Sequence, residues 1–155
     1  MLTVYIIASN FIAGLISQLI KYIVRLFKGE KLSFKSFLFT MLWAAGPPST
    51  HTTILFTTLS QLVLFYSFNT PIVVVWIMFM SYEIYRIINQ RKGYQAFEVM
   101  FEKIIDKQLN GKDFDKLKDM LGHDFLDIIL GALLGIFIGF IAFHYYGINI
   151  KPFIN

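Results

Sequence analysis

Three runs of apolar residues, each long enough to cross a lipid bilayer, constrain what this chain can fold into. Residues 3–27 are apolar up to Lys21, residues 70–88 up to Glu83, and residues 124–146 carry acids only in their first turn, Asp124 and Asp127. At about 1.5 Å per residue, a helix over any of these runs spans the roughly 30 Å of bilayer hydrocarbon. A fourth and shorter stretch, residues 52–68, is uncharged and lies between His51 and the turn Phe68-Asn69-Thr70-Pro71. The apolar run from Phe34 to Ala45 contains Lys35 and stops at Gly46-Pro47-Pro48, so a re-entrant or buried short helix is expected there and not a crossing.

Composition agrees with a lipid solvent. Hydrophobic residues make up 56% of the chain and charged residues only 15%, a balance foreign to an ordinary soluble domain. Cysteine is absent, which excludes disulfides and thiolate metal sites and leaves any catalysis to other groups. The first apolar run has no basic segment before it and no small-x-small cleavage pattern, so a retained helix is expected in place of a secretory signal.

Residues 89–123 are polar but keep a helical period. Phe97, Met100, Phe101, Ile104 and Ile105 share a face, and Phe114, Leu117, Met120 and Leu121 repeat it after Asn110-Gly111. Such segments are expected as amphipathic helices on the membrane surface. The expected fold class is therefore all-α. It is an integral membrane helical bundle of about four transmembrane helices, with a re-entrant or buried short helix and surface amphipathic helices, in a single domain over residues 1–155. With four spans, every Lys and Arg except Lys151 falls on one side, which the positive-inside rule makes cytoplasmic.

Ionisable groups at the mouths of membrane helices are costly and mark function by default. Asn10, Gly14, Ser17, Gln18, Lys21, Arg25 and Lys28 recur at helical spacing and form a small and polar stripe that should face the bundle interior. Arg25 and Lys28 could equally snorkel to lipid head groups, whereas Lys21 lies deeper. Gly46-Pro47-Pro48-Ser49-Thr50-His51 leads into an apolar helix. Its N-terminus suits an anion, with Ser49 or Thr50 as hydroxyl donor and His51 alongside; an ordinary Ser/Thr cap with an interfacial His is the alternative. At Leu121-Gly122-His123, Asp127 follows His123 by one helical turn and can fix its tautomer, while Asp124 suits the helix dipole. Gly131, Gly135 and Gly139 form a small-residue ridge, either an intramolecular seam or a homodimer face. His144 sits with Tyr145 and Tyr146 in an expected aromatic belt and is given no chemical role.

In this order, these sites resemble the type 2 phosphatidic acid phosphatase superfamily, which includes the vanadium haloperoxidases, and most closely its small divergent bacterial branch. The superfamily's Lys followed by Arg seven residues later resembles Lys21 and Lys28, with Lys in the second place. Its Pro-Ser-Gly/Ser-His resembles Pro48-Ser49-Thr50-His51, and its His with Asp four residues on resembles His123 and Asp127. The divergent branch's Leu-Gly-His before a Gly-rich helix resembles Leu121-Gly122-His123 and Gly131 to Gly135, and its Gly-x-Gln-Ala resembles Gly93-Tyr94-Gln95-Ala96. One departure stands out: Leu117 occupies the place of the superfamily's Arg, and Arg86 or Arg91 is expected to supply the guanidinium.

The resemblance implies a metal-independent phosphatase without cofactor, acting on phosphatidic acid, phosphatidylglycerol phosphate or polyprenyl diphosphate. His123 would attack phosphorus to form a phosphohistidine, and His51 would serve as acid. Lys21, Lys28, Ser49, Thr50 and Arg86 or Arg91 would hold the phosphate oxygens. The expected partners are the lipid substrate and membrane lipids, not nucleic acid, and the expected location is a bacterial cell membrane with the site on the cytoplasmic face. A non-catalytic protein that binds or transports anionic lipids is the competing expectation.

Overall fold

The computed structural model describes residues 2–27, 29, 33, 37–38, 46–105 and 125–149, with side chains omitted over 91–105 and at 147 and 149. The described residues form four α-helices: α1 (Leu2–Phe27), α2 (Thr50–Tyr66), α3 (Pro71–Ile105) and α4 (Phe125–Asn149). Among the described residues there is no strand.

α2 is the centre of the bundle. It packs on all three other helices, most extensively on α4. α1 shows why the chain assembles this way: Ser9, Ala13, Ser17 and Lys21 form its buried stripe, while Val4, Ile7, Phe11, Leu15 and Leu19 are exposed on the opposite face. This is the inverse of a soluble helix, and it fits a helix whose apolar face meets lipid and whose polar face meets protein. α4 divides likewise, with Asp127, Ile128, Ile138 and Ala142 buried and Leu133, Phe137 and Phe140 outward.

Three helices are long and apolar enough to cross a membrane, Leu2–Phe27, Pro71–Gln90 and Phe125–Tyr146. The chain is a membrane protein. The fourth expected span is α2, which begins at Thr50 and ends at Tyr66, so its 17 residues reach only about 25 Å. It is also the most polar inside, burying Thr52, Thr53, Thr57, Thr58 and Gln61. Several of these hydroxyls bond back to carbonyls of their own helix, as Thr53 Oγ1 does to the Ser49 carbonyl at 2.9 Å and Thr57 Oγ1 to that of Thr53 at 2.8 Å. That arrangement satisfies hydroxyls where water is scarce.

Helix ends follow local chemistry. Ser67, at φ 68°, closes α2 by donating its N–H to the Val63 carbonyl at 3.0 Å. Thr70 then precedes Pro71 at the first position of α3, where a missing N–H is harmless. The span expected over residues 70–88 is found as Pro71–Gln90, and it is the first part of a helix that runs unbroken to Ile105. Asn89, Gln90, Arg91 and Lys92 are polar but do not break a helix, so polarity marks where the lipid-facing part ends and not where the helix does. Residues 97–105 therefore extend α3 instead of starting a separate surface element. The second amphipathic segment, 114–121, lies outside the described residues. So does most of the expected re-entrant run, except Phe37 and Leu38; the Phe37 ring meets that of Tyr22 edge-on at 5.1 Å.

The glycine ridge has a definite use. A Cβ on Gly131 would lie 2.6 Å from the Ser49 carbonyl oxygen, one on Gly135 would lie 2.9 Å from Phe56 Cβ, and one on Gly139 would lie 2.7 Å from Ser60 Cβ. α2 therefore rests directly on α4 along all three glycines. Of the two expected roles the intramolecular seam is the one realised among the described residues.

Candidate functional site

The site is organised around the turn at residues 46–49. A cis peptide bond joins Pro47 to Pro48, and Ser49 caps α2 from extended backbone geometry. Two helices hold this turn from opposite sides. From α1, the Ser17 hydroxyl bonds the Pro48 carbonyl at 3.3 Å and meets Thr50 Oγ1 at 3.0 Å. From α4, the Asp127 carbonyl accepts the Ser49 N–H at 2.9 Å. Gly131 brings the α4 backbone close enough for that bond.

Charge gathers at the same place. Lys21, one turn beyond Ser17, is 4% exposed, and Asp127 is 6% exposed. Their charges attract across the interface of α1 and α4. Neither charge is tolerable alone at such depth, and opposition of the two is the ordinary way to hold them.

The expected phosphate ligands divide by position. Ser49 is fully buried and adopts the cap arrangement: its carbonyl accepts the N–H and hydroxyl of Thr53, each at 2.9 Å, and its Oγ accepts from Thr52 Oγ1 at 3.1 Å. Thr50 is half-buried and turned to Ser17, and His51 stands exposed in the first turn of α2. Arg86 is on an exposed face of α3, where Nε and Nη2 donate to Glu83 Oε2 at 3.0 and 2.6 Å. Arg91 belongs to α3 by its backbone, with its side chain outside the described set; His123, Lys28 and Leu117 lie outside the described residues altogether. Lys21, Ser49, Thr50 and Asp127 are thus brought together, with His51 at their edge.

Ser17 is the residue whose part went unrecognised in the sequence. It belonged to the polar stripe of α1, and its position one turn before Lys21 was the available signal. Nothing in the sequence paired it with the Pro48 carbonyl.

Most of the chain, the segments that carry this site among them, matches a known family. A family model described as the Divergent PAP2 family covers residues 2–138. The chain belongs to the Divergent PAP2 family. No curated protein and no solved structure matches it. Membership of the Divergent PAP2 family, with the three membrane-length helices, makes this a phosphatase-like membrane protein.

Proposed function

We propose that this Divergent PAP2 protein is a metal-independent phosphatase that hydrolyses a lipid-linked phosphomonoester or diphosphate through a phosphohistidine on His123. The family match over residues 2–138 carries the reading. The gathering of Lys21, the Ser49 turn and Asp127 supports it. In the mechanism, His123 attacks phosphorus and the P–O bond to the lipid breaks, with His51 protonating the leaving oxygen. Water then attacks phosphorus, gives a proton to His51, and the P–N bond breaks to regenerate His123. Asp127 holds the imidazole of His123 in the attacking tautomer. Lys21, Lys28, Thr50 and a guanidinium from Arg86 or Arg91 neutralise the equatorial oxygens, the preorganised electrostatic work that dominates phosphoryl transfer. Ser49 contributes by fixing the turn and through its hydroxyl proton.

In the same reading the site faces the cytoplasm across a bacterial cell membrane; the one-sided distribution of Lys and Arg supports the sidedness. The substrate class is phosphatidic acid, phosphatidylglycerol phosphate or polyprenyl diphosphate. A second reading, a non-catalytic binder or carrier of anionic lipids, draws on two observations: Leu117 in place of an arginine, and the engagement of Arg86 by Glu83.

Orthovanadate, which adopts the five-coordinate geometry of the transferring phosphorus, is expected to inhibit phosphate release competitively with the lipid substrate. Kinetics in mixed micelles test this. Undiminished release at saturating vanadate would count against an in-line histidine mechanism.

A further inference from the structure

We infer that Gln18 positions the water that hydrolyses the phosphoenzyme, holding it between the side-chain amide oxygen and His51; the inference rests on the phosphatase reading above. Gln18 Oε1 is shielded from solvent and, among the described residues, has no hydrogen-bond partner. A buried acceptor with no donor marks a place where a donor is missing.

The register of α1 on α2 says what that oxygen is level with. Thr58 Oγ1 donates to Asn10 Oδ1 at 3.0 Å. One turn along α1, a Cβ on Gly14 would lie 3.4 Å from Ile54 Cδ1 and 4.0 Å from Thr50 Cγ2. Each turn forward on α1 is thus a turn back on α2. Gln18 is the next turn after Gly14 on the same face, so it comes level with Thr50 and the adjacent His51, with Lys21 just beyond. The Ser17–Thr50 hydroxyl contact at 3.0 Å fixes the same register independently.

This location suits one step of the reaction. In the second half, a water oxygen attacks phosphorus as the P–N bond breaks, and the bonding pair returns to the His123 nitrogen. One water proton passes to His51. The other stays on the oxygen that enters inorganic phosphate. A carbonyl oxygen cannot take a proton, but it can accept a hydrogen bond from this second O–H and so aim the lone pair at phosphorus. In the first half, the corresponding oxygen belongs to the leaving lipid alcohol, whose carbon occupies the place of that second hydrogen. Gln18 therefore serves water and not the lipid.

The test uses the full chain in mixed micelles with phosphorus-labelled phosphatidic acid as probe, comparing wild type, Gln18→Leu and the smaller Gln18→Ala. Release of phosphate, alkali-stable and acid-labile phosphoenzyme, and the thermal midpoint are measured together. The expected result is turnover lowered by about tenfold to a hundredfold, the loss that misplacing a reactant brings, with phosphoenzyme accumulating and the midpoint little changed. A folding defect alone would not build up phosphoenzyme. Variants with wild-type turnover, or with slow turnover and no phosphoenzyme, would overturn the inference and leave the phosphatase reading standing. Failure of both variants to fold would make Gln18 a packing residue and overturn it too. No phosphate release from the wild type would remove the phosphatase reading and this inference together.

Discussion

Replacing His123 with alanine is expected to abolish phosphate release while leaving the bundle folded. The proposed reaction has no other nucleophile, so the loss should be at least on the order of 10⁴-fold in kcat, as when the attacking residue is removed from other covalent enzymes. Folding should survive because, among the described residues, the bundle is held by the glycine ridge on α2, Ser17 on Pro48 and the Ser49 bond to the Asp127 carbonyl. Phosphate release and the thermal midpoint, measured on the same preparation, separate the two effects. Retained turnover in His123→Ala would remove the histidine mechanism.

The second large effect is structural. Gly135→Val should destabilise the bundle by about 1–3 kcal/mol or more, the range for overpacking a closed interface. A Cβ there collides with the Thr53 carbonyl oxygen and comes within 2.9 Å of Phe56 Cβ and 3.0 Å of the Thr57 nitrogen. Two of these three atoms are helix backbone, which cannot swing aside. Separation of α2 from α4 would also break the bond from Thr57 Oγ1 to the Gly135 carbonyl, 3.2 Å in the wild type. It would also draw the His51 end of α2 away from Asp127, so turnover should fall with stability. Leu133→Ala, on the lipid-facing side of the same helix at 60% exposure, is the control expected to change little. Thermal unfolding in detergent compares them, and equal midpoints would contradict the seam as described.

What the sequence revealed and what it hid follow from the physics of each signal. The interior face of α1 was legible in part: Asn10, Gly14, Ser17, Gln18 and Lys21 interrupt an otherwise apolar helix at its own period, but the buried stripe shares only Ser17 and Lys21 with them and runs on through Ser9 and Ala13. Membrane residence was legible from run length. The end of α3 was not, since loss of apolar character at Gln90 coincides with leaving the lipid-facing stretch while the residues beyond still favour helix. The partner of the glycine ridge was hidden for a different reason: identical spacing serves a seam within one chain or between two, and only the fit of Ser49, Phe56 and Ser60 against it decides.

The candidate site divides in the same way. Its residue types were visible, but their connections were not. Hydrogen bonds from Ser17 to Pro48 and from Ser49 to Asp127 join segments far apart in the chain. Spacing carries no trace of such contacts. The Glu83–Arg86 pair, by contrast, is local to one helix and readable from its three-residue separation.

The central claim is phosphate hydrolysis by side chains without a metal, and one measurement addresses it most directly. Purified protein is assayed for phosphate release from phosphatidic acid, phosphatidylglycerol phosphate and polyprenyl diphosphate, with and without excess chelator. Release from at least one substrate at a rate unaffected by chelator is the predicted result; release abolished by chelator, or absent from all three, would contradict it.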